Sequence, residues 1–434
     1  MLRVLLAVTL LLPLSSAGGQ AQLRGHGGPV RALAVSPDGA QAVSGSFDTS
    51  VIRWSLARNA AEQVLRFHDG AVNAVVFLRD GGIATSGEDA RIAIWRPGEA
   101  QPATVLAGHE GPVVALALSP DGTMLASASW DHTARLWPLG AFSGKVDTGR
   151  APRVIEGHGQ NVNGVAFAPA GRALVTAGYD ATLRITPLAG NGAPVVATLP
   201  TPLNAVAVAA DGEIVTAGAD GKVYVLSAAG ELMAEIEAAQ TPIIALALSG
   251  DGRLVAAASI RGSVAVIDRA ARRLERTLVG PGLPVWSAAF FPDNRTLLTG
   301  GTDRVIRRWD AVTGEPIGNV VVGAPEDPLA AFAGDHGAEV FRACVACHTL
   351  RADEGMRAGP TLAGIFGRRI ATLPGYNFSD ALKRLDIVWS PETVAKLFEV
   401  GPMAYTPGTK MPEQRLGSAE DRAALVQFLE KATK

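Results

Sequence analysis

Cysteine is nearly absent from this chain: the 434 residues hold two, Cys344 and Cys347. Thiols this close in sequence cannot staple distant segments, so no disulfide framework supports the fold. Charge of one sign is lacking too, with 39 Lys and Arg against 41 Asp and Glu. That balance leaves no electrostatic footprint for nucleic acid and no polybasic membrane anchor. After Gln22 no apolar run is long enough to span a bilayer. A glycine-rich phosphate loop is missing, as is any nucleophile–base arrangement legible from sequence. What the chain has in quantity is Gly and Pro, 49 and 27, which suits short strands joined by tight turns. Its length suffices for two or three domains, each with its own core.

The N-terminus reads "MLRVLLAVTLLLPLSSAGGQAQ". Arg3 supplies a short positive region, residues 4–14 are almost wholly apolar, and small residues follow, with cleavage expected after Ala17 or Ala21. This is the pattern of a secretory signal over residues 1–21. The alternative, a membrane anchor, would need roughly 20 apolar residues. The expectation is a periplasmic or otherwise exported protein, soluble after cleavage.

Most of the chain repeats at about 40 to 45 residues, the spacing of propeller blades. The clearest copy is "GHEGPVVALALSPDGTMLASASWDHTARLW", residues 108–137. Others run over 25–54, 67–95 and 157–186, and three fainter copies end at Leu226, Ile267 and Trp309. Six residues before the end of each copy stands an acidic turn residue: Asp48, Asp89, Asp131, Asp180, Asp220 and Asp303, with Arg261 the exception. The first strand of each copy is apolar at nearly every position, as a sheet buried on both faces requires. Val30, Val72, Val113, Val162, Leu203, Ile243 and Val285 share one column of that strand. These motifs resemble the WD40 repeat over about residues 23–322. The resemblance implies seven four-stranded blades closed into a ring, the last outer strand coming from 315–322 or from 20–24. It also implies that each "GH" histidine bonds the acidic residue of its own blade: His26 with Asp48, His68 with Asp89, His109 with Asp131, His158 with Asp180. Copies five to seven lack the histidine, so weaker pinning is expected there. Residues 138–154 lengthen the third copy and should protrude as a loop.

A metal centre in the channel would need inward-pointing ligands. The propeller has five histidines, and only His132 is not at a "GH" position. The residues expected to face the top of the channel follow the apolar column by one: Arg31, Asn73, Val114, Asn163, Asn204, Ile244 and Trp286. They form a mixed set without a carboxylate cluster, which favours a docking platform over a catalytic site.

After a linker, 323–331, the periodicity changes. Residues 335–344 read as a helix with Ala338 and Phe341 on one side. Residues 418–434 read as a terminal helix capped by Ser418 with Asp421 as capping acid, and Leu425, Phe428 and Leu429 as its stripe. Between them lies "CVACH", with Cys344, Cys347 and His348. Cys-x-x-Cys-His is the c-type haem attachment pattern: two thiols about a helical turn apart meet the two porphyrin vinyl groups, and the next residue sets an imidazole beneath the iron. A zinc site would want two further ligands, and no cysteine remains. A thioredoxin-like redox pair would want a βαβ context that is absent.

The motifs "GPTLAGIFGRR" (359–369), "PGYNFSDALKRLDIVW" (374–389) and "YTPGTKMP" (405–412) follow in order. With "CVACH" they make residues 329–434 resemble a class I cytochrome c, close to the mitochondrial kind. The resemblance implies one covalent haem c, with Cys344 and Cys347 as thioethers and His348 and Met411 as axial iron ligands; Met403 and Met356 are the rival sulfurs. It further implies that the Pro360 carbonyl orients His348, and that Arg368, Trp389 and Thr409 bond the haem propionates. Phe378 and Leu397 stand where the family often has tyrosine. Residues 327–434 hold 13 basic and 13 acidic side chains, so the family's basic docking rim is missing.

The expected architecture is therefore multidomain: a signal peptide (1–21), an all-β seven-bladed propeller (22–322), a linker (323–331) and a small all-α class I cytochrome c domain (332–434). With both axial sites filled, the iron stays low-spin and its potential is raised. That implies an electron carrier rather than a catalyst. The expected partners are redox proteins (a soluble cytochrome, an oxidase or a periplasmic dehydrogenase) met through the propeller. The alternatives left open are an oxidoreductase whose propeller holds a substrate or second cofactor fed by the haem, and a haem-sensing or assembly factor.

Overall fold

The computed structural model describes residues 22–139, 151–190, 192–279, 282–318 and 329–434, apart from 355, 356, 358, 377, 410, 412 and 413. The expected signal segment, most of the third-blade loop and most of the linker lie outside these residues.

Seven four-stranded antiparallel sheets follow one another along the chain. Blade 1, for example, comprises Val30–Val35, Gln41–Ser46, Ser50–Ser55 and Ala60–Arg66. Blade 7 is completed from the other end of the chain: Leu23–Arg24 pairs with Val305–Asp310, Leu23 opposite Ile306 and Arg24 opposite Val305. Of the two closures open from sequence, the N-terminal one is formed. Leu23 is fully buried there, so closure is held by apolar packing as well as by the ladder.

The apolar column is buried as expected: Val30, Val72, Val113, Val162, Leu203 and Ile243 have no exposed surface. The rest of the first strand is not buried on both faces, because it lines the channel; Val113–Leu118 is partly exposed after its first residue. Burial is deepest in the second strand, such as Met124–Ser129. In all seven blades the ladder skips the residue after the column, as between Val113 and Ala115. Such a bulge re-aims the extra side chain, here Arg31, Asn73, Val114, Asn163, Asn204, Ile244 or Trp286.

The four His–Asp pairs are present at 3.1 Å (His26–Asp48), 3.0 Å (His68–Asp89), 2.6 Å (His109–Asp131) and 3.1 Å (His158–Asp180). Each histidine uses its other nitrogen on a buried hydroxyl: Ser44, Thr85, Ser127 or Thr176. In blades 1 to 3 the closing tryptophan donates to that same hydroxyl. Two of the blades without the histidine pin their acidic residue otherwise: Tyr224 donates to Asp220, and Arg307 pairs with Asp303 at 2.6 Å.

The C-terminal region is helical: α1 (His336–Phe341), α2 (Asp380–Lys383), α3 (Pro391–Val400), α4 (Pro402–Tyr405) and α5 (Ala419–Ala432). Asp335 caps α1, accepting from Gly337 and Ala338 N–H at 2.9 and 3.2 Å. Ser418 caps α5 through the Asp421 N–H at 3.2 Å, while the Asp421 carboxylate reaches His336 Nε2 at 2.8 Å, tying the start of α5 to α1. The two helices cross closely because Gly337 has no Cβ to strike the Ala424 carbonyl. Phe341, Leu425, Phe428 and Leu429 fill the crossing, with ring centres of Phe341 and Phe428 5.3 Å apart. Among the described residues no helix is long and apolar enough to cross a membrane.

Candidate haem site

A cavity of about 380 Å³ opens in the helical domain, and its walls carry all eight residues expected around the haem: Cys344, Cys347, His348, Pro360, Arg368, Trp389, Thr409 and Met411. The structure brings them together from four sequence motifs.

The attachment motif forms a single tight turn, Cys344–Ala346, entered from α1. Cys347 and His348 N–H both bond the Cys344 carbonyl, at 3.1 and 2.9 Å. Both cysteines are free thiols. Burial pushes the Cys344 thiol up to about 11 and raises Cys347 as well. His348 Nδ1 donates to the Pro360 carbonyl at 2.7 Å. That bond sets the tautomer and leaves the Nε2 lone pair for a metal. Burial lowers the His348 pKa, which also favours the neutral, ligating form. A Cβ at Gly359 would collide with the His348 ring; the glycine of "GPTL" is the cradle of the imidazole.

Met411 is partly buried against the domain core and lines the same cavity. Its N–H bonds Thr409 Oγ1 at 3.1 Å. Of the rivals, Met403 is 66% exposed on α4, and Met356 lies outside the described residues. Arg368 lines the cavity while its Nη atoms donate to the Ala363 and Thr361 carbonyls, each at 3.0 Å. Trp389 is clasped to that segment through backbone bonds with Arg368 and Gly367 at 3.0 and 2.8 Å. Phe378 and Leu397 present apolar surface to the cavity. The donor set therefore fits a covalent haem: two free thiols, an oriented neutral imidazole and a thioether surround an apolar cavity.

The seven bulge residues of the propeller meet at one recess in the ring. Asn73, Asn163 and Asn204 each donate to a carbonyl of the next blade (Val113, Leu203 and Ile243), and the Arg31 guanidinium lies 5.0 Å from the Trp286 ring centre. Three polar residues are thus tied up in joining blades. His132 sits in a turn with φ 71°. Among the described residues no group of three or more His, Cys, Asp or Glu could hold a metal.

Sequence reasoning missed a further set. Arg66, Phe67, Asp69 and Gln101, all from the first two blades, line the haem cavity. No local pattern marks them, because their neighbours in space come from the other domain.

Comparison with known proteins agrees with this arrangement. The WD40 family (WD domain, G-beta repeat) matches residues 20–55, 60–96, 100–138, 149–186 and 272–310. The strands from Leu203–Val208 to Ser263–Asp268 are formed outside the matched segments. The Cytochrome c family matches residues 334–433. Cytochrome c of Cochliobolus lunatus is 43% identical over 99 residues, covering 23% of this chain and 91% of the relative. Cytochrome c of Arabidopsis thaliana is 43% identical over 99 residues, covering 23% and 88%. Cytochrome c type-1 of Ascaris suum is 38% identical over 113 residues, covering 25% and 96%. Likeness over nearly the whole length of these relatives implies a covalently bound haem c and supports haem-based electron transfer. The chain belongs to the cytochrome c family, its haem domain following a seven-bladed WD40 propeller.

Proposed function

We propose that the protein is an exported, periplasmic one-electron carrier. Cys344 and Cys347 form the haem thioethers and His348 and Met411 the axial ligands. Pro360, Arg368, Trp389 and Thr409 shape the haem's surroundings, and the propeller is the platform that docks the redox partner. The observation that carries this reading is the placement of the His348 imidazole and the Met411 thioether on one cavity. Held by both His348 and Met411, the iron would offer no open position to a substrate, and the group would supply one-electron chemistry. Domain limits of 1–21 for a signal segment, 22–322 for the propeller, 323–331 for a linker and 332–434 for the cytochrome suit this role.

The docking role is supported by charge. The cytochrome part is balanced, with 13 basic and 13 acidic residues over 327–434, so it has no strong field of its own to steer a partner. Stopped-flow oxidation by soluble cytochromes, an oxidase or a dehydrogenase, with the full chain and with a form lacking residues 23–322, tests the role. A slower reaction of the truncated form is expected. Equal rates would remove docking from the propeller.

A further inference from the structure

The cytochrome domain does not wall its haem cavity alone. At the mouth, the Arg66 Nε of blade 1 donates to the Tyr376 hydroxyl at 2.9 Å, and the guanidinium lies 6.0 Å from the Tyr376 ring centre. Tyr376 in turn packs against the apolar core of blade 1. Nearby, Gly27 abuts Cys347 so closely that a Cβ at Gly27 would collide with the sulfur.

Neither Gly27 nor Arg66 is demanded by the blade. The place after the "GH" histidine, glycine in blades 1 and 4 (Gly27 and Gly159), is Asp69 in blade 2 and Glu110 in blade 3, both exposed. Gly27 is not among the positive-φ positions, so nothing in its backbone requires glycine. The place two before the histidine, Arg66 in blade 2's approach, is again arginine in blade 1 (Arg24) but Ala107 in blade 3 and Glu156 in blade 4. What sets Gly27 apart from Gly159, and Arg66 from Glu156, is the cytochrome face against them, Cys347 and Tyr376. The charges bearing on Cys347 there are Asp48 and three arginines, Arg66, Arg304 and Arg357. Of these, Arg66 and Arg304 come from the propeller; Asp69 of blade 2 and Asp380 also line the cavity, with Arg368 and Arg369.

We propose that the propeller is a structural wall of the haem site, and that Arg66 is a positioning residue whose fixed positive charge at the cavity mouth favours ferrous over ferric haem. One electron taken up from an external donor lowers the iron's charge by one. Arg66 keeps its proton throughout. A neighbouring positive charge penalises the more highly charged ferric state, so the potential rises. The inference rests on haem c bound in this cavity and holds whether or not the propeller also docks an outside partner.

Spectroelectrochemical titration of the haem-loaded full chain tests it. At the wild-type midpoint, Arg66→Gln should raise the ferric-to-ferrous ratio by about three- to tenfold, the size expected for one charge partly screened at this range. Arg66→Lys, which keeps the charge, should stay within about twofold of wild type. Gly27→Gln adds a neutral side chain where blades 2 and 3 carry Asp69 and Glu110. It should leave propeller melting unchanged, part the two faces and shift the ratio in the same direction as Arg66→Gln. The proposal is overturned by an unchanged ratio in Arg66→Gln, by an equal shift in Arg66→Lys, or by a Gly27→Gln variant that titrates as wild type. A wild-type spectrum lacking His/Met ligation would instead sink the electron-carrier reading, so the two failures are separable.

Discussion

At the haem cavity, single residues decide what the iron can do. The Pro360 carbonyl holds His348 by its Nδ1–H, and Gly359 leaves the space in which the ring lies. Met411 faces the same cavity, while Met403 points to solvent. Replacing Met411 by Ala should open one axial position: an exogenous ligand such as imidazole should bind, the low-spin spectrum should change, and the potential should fall, because a thioether ligand raises it. An absorption spectrum identical to wild type would mean that another side chain ligates the iron. The hydroxyls missing at Phe378 and Leu397 sharpen the contrast with Tyr376, whose hydroxyl is turned to Arg66 of the propeller rather than left to the cytochrome domain.

Among the elements, the blades differ in how their turns are secured. In blades 1 to 3 a Trp, a Ser or Thr, a His and an Asp form one hydrogen-bonded chain from the third strand to the surface turn. Burial pushes Asp131 up, but its bonds from Thr133 and His109 outweigh that and hold it at about 2, against an ordinary 3.8. Asp48, Asp89 and Asp180 are also held down. Burial lowers His109 and His158 below 6.5. Both shifts have the same sign: the unfolded chain binds more protons, so stability is fully present above pH 6.5 and is lost as pH falls toward about 2. Chemical denaturation of the propeller across that range should show a falling midpoint, with a shallower fall for Asp131→Asn. A midpoint that rises on acidification would contradict the pinning account. The ring closure makes a second expectation. Leu23 sits fully buried on the two-residue closing strand, and Leu23→Ala should cost about 2–5 kcal/mol of propeller stability. The haem spectrum should be unaffected.

On the scale of the whole molecule, the two parts depend on their cores unequally. Each blade buries its column between neighbours and needs no cofactor. The helical domain surrounds a cavity of about 380 Å³, and an apolar space of that size left empty is strongly destabilising. Changing Cys344 and Cys347 together to Ser should give a haem-free chain whose propeller still unfolds cooperatively while residues 329–434 lose fixed tertiary packing. Dispersed, sharp NMR signals from that region without haem would show that the cofactor is not its core.

Local residues determined a great deal by themselves. "CVACH", "GPTL" and "PGTKM" each group their residues within a few positions, so the candidates Cys344, His348, Pro360 and Met411 can be named from the chain alone, and the fold sets all four on one cavity. The blade column and the His–Asp pairs were legible because each repeats at a fixed spacing. Tertiary structure decided what depends on distant partners. The first strands proved only partly buried, because the ring leaves a channel beside them. The side chains that face it follow the column by one place, as the repeat implies; the bulge that aims them belongs to the folded ladder. The closing strand was Leu23–Arg24 because its pairing with Val305–Asp310 is set by ring geometry. Above all, Arg66 and Tyr376 stand 310 positions apart, and the motif that holds Tyr376 says nothing of a propeller partner. Their meeting at the haem mouth is a matter of how two folded surfaces fit, which no repeat or spacing along the chain can record.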